Sequence, residues 1–296
     1  MTKPYFIVPQ VKPAASERKS QDGSLSGKLA ITIQVVTPLH FGSGRLLYRQ
    51  AHNDFVHLLD RENGRISLPG SSFKGMLRSV FEAVSESCMV TTQRCDPKYS
   101  ICPACELFGA LGSKGKLRFS SFISDGVTYE YVLPQLYAAR KKYDGRKIYR
   151  HSNAYTKISE SMENGKYSNR RDTYECLMPD SILEGDITYL NLSEDQLGGL
   201  LFALGLGWKK SIFHKLGYAK PAYFGSIQIK VEKASSKSSL LSPNGCLIDL
   251  TALAVAYYER HKDKIADVVE AIRQEWSSIG DDCGWFEHEQ FKALTY

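Results

Sequence analysis

"DITYLNLSEDQLGGLLFALG", residues 186–205, turns from strand to helix within a single run. Its first part, Asp186 to Leu192, mixes β-branched, aromatic and leucine residues and reads as a strand. Ser193 and Gln196 then stand at capping-box spacing, where the serine hydroxyl takes one backbone N–H and the glutamine side chain reaches back to another. Leu197, Leu200, Leu201 and Leu204 follow at helical intervals and supply one apolar face.

The same pairing of elements recurs on either side of this run. Upstream, "KLAITIQVV" (28–36) alternates Leu29, Ile31, Ile33 and Val35 on one face and reads as a strand. "LPGSSFKGMLRSVFEAV" (68–84) sets Phe73, Met76, Leu77, Val80, Phe81 and Val84 along one helical stripe, with Ser71 or Ser72 available as N-cap. "KLRFSSFI" (116–123) alternates again, and downstream "FGSIQIKVEK" (224–233) gives another strand. The order is therefore strand, helix, strand, strand, helix, strand. This is the α+β, ferredoxin-like split βαβ arrangement, two helices covering one face of an antiparallel sheet. "DFVHLL" (54–59) adds a short strand after the loop "TPLHFGSGRLLYRQAHN" (37–53).

Around this core the expected divisions are a flexible lead-in over 1–27, the core over 28–232, a Ser-rich linker over 233–248 and a helical segment over 249–296. The last uses Leu250, Leu253, Tyr257, Ile265, Val268, Val269, Ile272 and Trp276 as its apolar face. Residues 134–180 are polar, basic and tyrosine-rich without a core pattern and read as an insertion. No internal repeat is visible.

With 43% hydrophobic and 24% charged residues, the 296-residue chain reads as soluble and globular. The N-terminal region lacks an uninterrupted apolar run and no stretch reaches the length of a membrane span, so a cytoplasmic protein without membrane contact is expected. Seven cysteines, an odd number, argue for metal or free thiols over a disulfide framework. The net charge of +6 is concentrated: Arg140, Lys141, Lys142, Arg146, Lys147 and Arg150 face a single acid, Asp144.

Three constellations carry chemistry. Cys88, Cys95, Cys102 and Cys105 form C-x6-C-x6-C-x2-C, and the C-P-A-C knuckle offers two ligands from one tight turn. Four thiolates would close a tetrahedral zinc site over about residues 86–109 and leave no open position, which makes the zinc structural. The helix start at Gly70, Ser71 and Ser72, with Lys74 and Arg78 one turn apart, is either an anion site or an ordinary helix end with solvated cations. In "LYAARKKYDGRKIYRHSNAY" (136–155), Asp144-Gly145 signals a hairpin turn. The cations and Tyr137, Tyr143, Tyr149 and Tyr155 around it offer phosphate pairing and stacking faces, against the plainer reading of a solvated charged loop. His40, His52, His57, His151 and His214 are candidates for acid–base work or simple packing, and Asp54 for a turn residue opening its strand.

"PLHFGSG" (38–44), "LPGSSFKGMLRSVFEAV" (68–84), "CPACELFGALGSKGKLRFSSF" (102–122) and "HKLGYAKPAYFGSIQI" (214–229), in that order, resemble the RAMP superfamily. These are the repeat-associated proteins that build CRISPR effector complexes. The similarity is best to backbone subunits of type III or type III-derived systems and spans about residues 28–232. It implies an RRM-like core with a basic thumb hairpin around "GRKIYRH", polymerising as copies of itself along a crRNA guide that pairs with target RNA, beside other CRISPR effector subunits. By motif position Gly70, Ser71, Ser72, Lys74 and Arg78 would meet guide phosphates. His40 in the first motif, Lys215 in the loop Lys215 to Gly225, and Arg140, Lys141, Arg146 and Lys147 in the thumb would be further RNA contacts. Ala219, Tyr223 and Phe224 depart from the pattern, standing where relatives tend to have glycine or other small residues.

The resemblance leaves two roles open. In target-cleaving relatives an aspartate before the PGSS motif assists the 2′-hydroxyl attack, and Asp54, fifteen residues before Pro69, looks like that position. Cleavage there would call for Mg2+ or another divalent ion, and a histidine such as His40 or His151 could instead process guide precursor. "RQAHNDF" lacks the glycine-rich character of cleaving members, however, and a separate nuclease can do the cutting. The leading expectation is a passive guide-binding backbone, with the endoribonuclease as its alternative. A free-standing zinc protein binding single-stranded RNA is a third reading.

Overall fold

The computed structural model describes residues 3–13, 16–17, 25–50, 52–88, 95–96, 100–134, 136, 145–163, 171–237 and 249–281. The central sheet is built from β1 (Leu25–Val35), β2 (Leu117–Phe119), β3 (Phe122–Ser124), β4 (Ile182–Leu192) and β5 (Ser226–Lys237). Across the sheet the order is β5, β1, β4, β3, with β2 also paired to β4, and every pairing is antiparallel. Counting β2 and β3 as one broken strand, this is the fourth–first–third–second order of the split βαβ arrangement. Arg65–Leu68 extends the sheet beyond β3, and His214–Lys215 extends it beyond β5.

The alternation read in β1 is realised, since Leu29, Ile31, Ile33 and Val35 are all buried. Against them pack α1 (Gly70–Ala83) and α4 (Glu194–Ala203), and both halves of the Ser193–Gln196 capping box are made. The short α2 (Pro103–Phe108) belongs to the same core. So does α5 (Leu250–Trp276), which begins at an Asp249 cap. Tyr257 donates its hydroxyl to the Val84 carbonyl at the end of α1 (2.9 Å), and Arg260 pairs with Asp195 on α4 (2.5 Å). The C-terminal helix is therefore a layer of the core. Among the described residues no helix is long and apolar enough to cross a membrane.

Three expectations change. The lead-in over 1–27 contains a strand, Tyr5–Val8, which pairs antiparallel with Arg146–Tyr149. The YFIV run has strong strand propensity, but its partner lies far along the chain, and local pattern cannot name a distant edge. For the same reason "GRKIYRH" is half of this long-range pair, and Asp144 of the predicted turn lies outside the described residues. The insertion over 134–180 also has a core of its own. Thr128–Pro134, Arg171–Leu177, Asp54–Leu59 and Gly42–Arg49 form a second sheet, and α3 (Tyr155–Glu163) joins Leu133, Tyr174, Cys176 and Phe224 in a separate apolar cluster. Finally, β5 runs through Lys237, so the serine-rich linker begins as strand, and 238–248 are not described.

Candidate nucleic-acid groove and metal knuckle

The four cysteines come together. Cys88 Sγ lies 3.5 Å from the sulfurs of Cys102 and Cys105 and 3.7 Å from that of Cys95, and all four Sγ atoms fall within 4.8 Å of one another. Four bonds of ~2.3 Å to a tetrahedral zinc require sulfurs about 3.8 Å apart, so the set fits a metal ion such as zinc. Proline at the first helical position of α2 turns Cys102 and Cys105 to one point. The Cys102 N–H donates to Cys95 Sγ (3.3 Å) and Arg78 Nη2 donates to Cys105 Sγ (3.3 Å), the hydrogen bonds that thiolate ligands favour.

Arg78 thus has a different task from the one expected of it. Its guanidinium donates to the Gly109 carbonyl (2.7 Å), to Cys105 and to Glu82 (2.8 Å). Glu82, with a side chain only 2% exposed, also pairs with Arg146, which donates to Ser79 Oγ at 3.1 Å. A carboxylate buried on α1 therefore ties the cysteine knuckle on one side to the strand Arg146–Tyr149 on the other. Arg78 and Arg146 are occupied within the protein, because a low-dielectric site holding four sulfurs and a carboxylate draws in cations.

Beside this cluster lies a groove of about 500 Å³. One wall is the α1 stripe Ser72, Gly75, Met76 and Ser79; the others are Lys147–Tyr149, Lys215–Tyr218 with Lys220, Phe41–Gly42 and Trp276 of α5. Three of the motifs singled out for the resemblance, together with GRKIYRH, meet here. Lys74 and Arg78 do not line it, for Lys74 lies two residues from both Ser72 and Met76 and Arg78 two from Met76, roughly 200° around a helix. Ser71 and Ser72 are exposed in the first turn, but the helix begins at Gly70, two residues earlier than a Ser71 cap requires, with Pro69 at the cap. Gly70 is there for packing: a Cβ would stand 2.4 Å from the Ser120 carbonyl oxygen.

The loop from His214 to Gly225 is held tightly. Lys215 is buried and donates to the carbonyls of Tyr223 (2.9 Å) and Phe224 (3.0 Å), and burial pulls its pKa well below the lysine range. The expectation of Lys215 as an RNA contact is corrected, since its ammonium closes the loop. Lys220 Nζ donates to the Gly217 carbonyl. Gly217 (φ +80°) lies so close to His40 that a Cβ would be 2.3 Å from its carbonyl oxygen. Ala219 (φ 54°) and Tyr223 (φ 66°), the positions where glycine was expected, keep the left-handed backbone that glycine would adopt. Their side chains and Phe224 are buried in the second cluster, which holds that strain in place.

The remaining predicted residues are dispersed. His40 is buried, its Nδ1 2.7 Å from the Glu175 carbonyl oxygen, and burial lowers its pKa. His151 Nδ1 lies 2.9 Å from Ser226 Oγ, and His214 Nε2 donates to the Ala203 carbonyl (2.9 Å); both are buried and shifted down by burial. Asp54 opens its strand, as the plainer reading had it. Arg49 Nε donates to its carboxylate (2.9 Å), as does Thr173 (3.2 Å), and the Arg49 guanidinium holds its pKa below the usual carboxylate range. Arg140 and Lys141 lie outside the described residues. Lys147 lines the groove, its Nζ 3.9 Å from the Tyr5 ring centroid. Sequence reasoning missed Glu82, whose signal was a charge between Phe81 and Val84 on an apolar stripe, and Tyr218 and Lys220, which lie inside a quoted motif.

A family model described as the RAMP superfamily matches residues 32–280, which carries the match through α5 and past the 28–232 span of the quoted motifs. No curated protein matches the chain.

Proposed function

The chain belongs to the RAMP superfamily, and from that premise we propose that it is a crRNA-binding backbone subunit of a CRISPR ribonucleoprotein effector that recognises complementary target RNA. The observation that carries this reading is the groove, where Ser72, Gly75 and Ser79 along α1 face Lys147 and the Lys215–Tyr218 stretch of the loop. Hydroxyls, an uncluttered backbone and lysines are the groups that follow a sugar-phosphate strand without reading its sequence. Copies of the chain repeat the groove along the guide.

In this reading a zinc ion on the four cysteines is structural, fixing α2 against α1 and, through Arg78, Glu82 and Arg146, one wall of the groove. Asp54 is not used for cutting. A general base needs a carboxylate with a drive to take a proton, and Arg49 and Thr173, by donating to this one and lowering its pKa, make it a weak base. A separate nuclease, or none, would act on the target.

The test is electrophoresis of the guide-loaded protein with complementary RNA, with and without Mg2+. Guide binding that falls steeply with salt and leaves the target uncut is the expected result. Regularly spaced, Mg2+-dependent products that vanish in Asp54→Asn would replace the passive reading with the endoribonuclease.

A further inference from the structure

We propose that Tyr218 is a stacking platform for a nucleobase of the strand held in the groove. This rests on the groove binding RNA and goes beyond phosphate contact. Tyr218 lines the groove and keeps 39% of its surface exposed, unusual for an aromatic ring so firmly supported from behind. Its ring stacks on Tyr174 (centroids 5.0 Å apart, planes at 27°), and Tyr174 stacks on His57 (4.4 Å, 10°). His40 abuts both tyrosines edge-on, at 5.1 Å from Tyr174 and 6.2 Å from Tyr218. The backbone is fixed as well, since the Tyr218 N–H donates to the His40 carbonyl (2.8 Å).

The three rings form a column whose middle ring, Tyr174, is buried and whose last ring borders the groove. Its orientation is set before any ligand arrives, so a base landing on the remaining face meets no ordering cost from the side chain. Stacking suits any base, because each has a π-face, and it would place one base while Lys147 of the groove meets the backbone. The buried histidine and the covered Tyr174 act as supports, which explains why four aromatic rings gather where two sheets meet a glycine-bearing loop.

The experiment uses the full chain and two probes of equal length, a single-stranded oligouridylate and the same ribose-phosphate chain without bases, each titrated over a range of salt. Tyr218→Ala and Tyr218→Leu are expected to weaken oligouridylate binding about tenfold, the effect of ~1.4 kcal/mol of lost stacking. Tyr218→Phe, which keeps the ring, should bind as the wild type does. The slope of log K against log salt should be unchanged in all three, because no phosphate contact is lost. Binding of the base-free chain should be indifferent to every substitution. Oligouridylate binding unaffected by Ala and Leu would overturn the proposal, as would equal losses on both probes or a changed slope. Failure of the wild type to bind either probe would instead overturn the RNA-binding reading itself.

Discussion

Replacing Glu82 by glutamine removes one negative charge and almost no volume from a side chain that is 2% exposed. Two guanidiniums lose their counter-ion. Arg78 keeps the Gly109 carbonyl and Cys105 sulfur, but Arg146, whose side chain is 21% exposed, keeps only Ser79 among the partners described above. Stranding one member of a buried pair costs about 3–5 kcal/mol, and the glutamine oxygen can still accept one hydrogen bond, so about 3 kcal/mol is expected for Glu82→Gln. For a domain of this size that lowers Tm by about 2–4 °C per kcal/mol, or roughly 9 °C. The assay is thermal unfolding at pH 7.5 with metal present, beside the double variant Glu82→Gln, Arg146→Met. If the charges act as one cluster, the double variant is more stable than the single one, because the stranded cation is gone. A loss below about 1 kcal/mol in Glu82→Gln, or strict additivity in the double variant, would refute the reasoning.

Purified protein is expected to carry about one zinc per chain, and Cys102→Ser with Cys105→Ser to lose it together with stability; a metal-free preparation of unchanged Tm would count against the site. Lys147→Ala should lower the salt slope of single-stranded RNA binding by roughly 0.7, whereas Arg78→Ala should leave the slope alone and speed zinc loss to a chelator, so a slope change in Arg78→Ala alone would reverse the assignment. Stability should fall with acid. Burial pulls His214 down to about 4, so between pH 6.5 and about 4 the unfolded chain binds a proton that the folded one refuses. Its contribution, on the order of 3 kcal/mol, is complete above pH 6.5 and lost progressively below it. Urea unfolding at several pH values, with zinc measured at each, tests this; stability flat from pH 7.5 to 5 would contradict it.

What could be read in the sequence was local. The alternation of Leu29, Ile31, Ile33 and Val35, the Ser193–Gln196 box and the stripe from Phe73 to Val84 each depend on periods of two or 3.6 residues, and they determined the strand–helix order of the core. The cysteine cluster was legible for the same reason, its ligands lying within eighteen residues. Only the tertiary structure decided the rest. Tyr5–Val8 found its partner at Arg146–Tyr149, and the stripe on α1 that faces the groove proved to be Ser72, Gly75 and Ser79 rather than Lys74 and Arg78. Charge in a sequence says what a residue can pair with, not which partner reaches it first. Arg78, Arg146 and Lys215 looked like phosphate ligands until folding brought them to a sulfur, a buried carboxylate and two carbonyls, because a cation taken out of water is held by whatever acceptors the chain itself places around it.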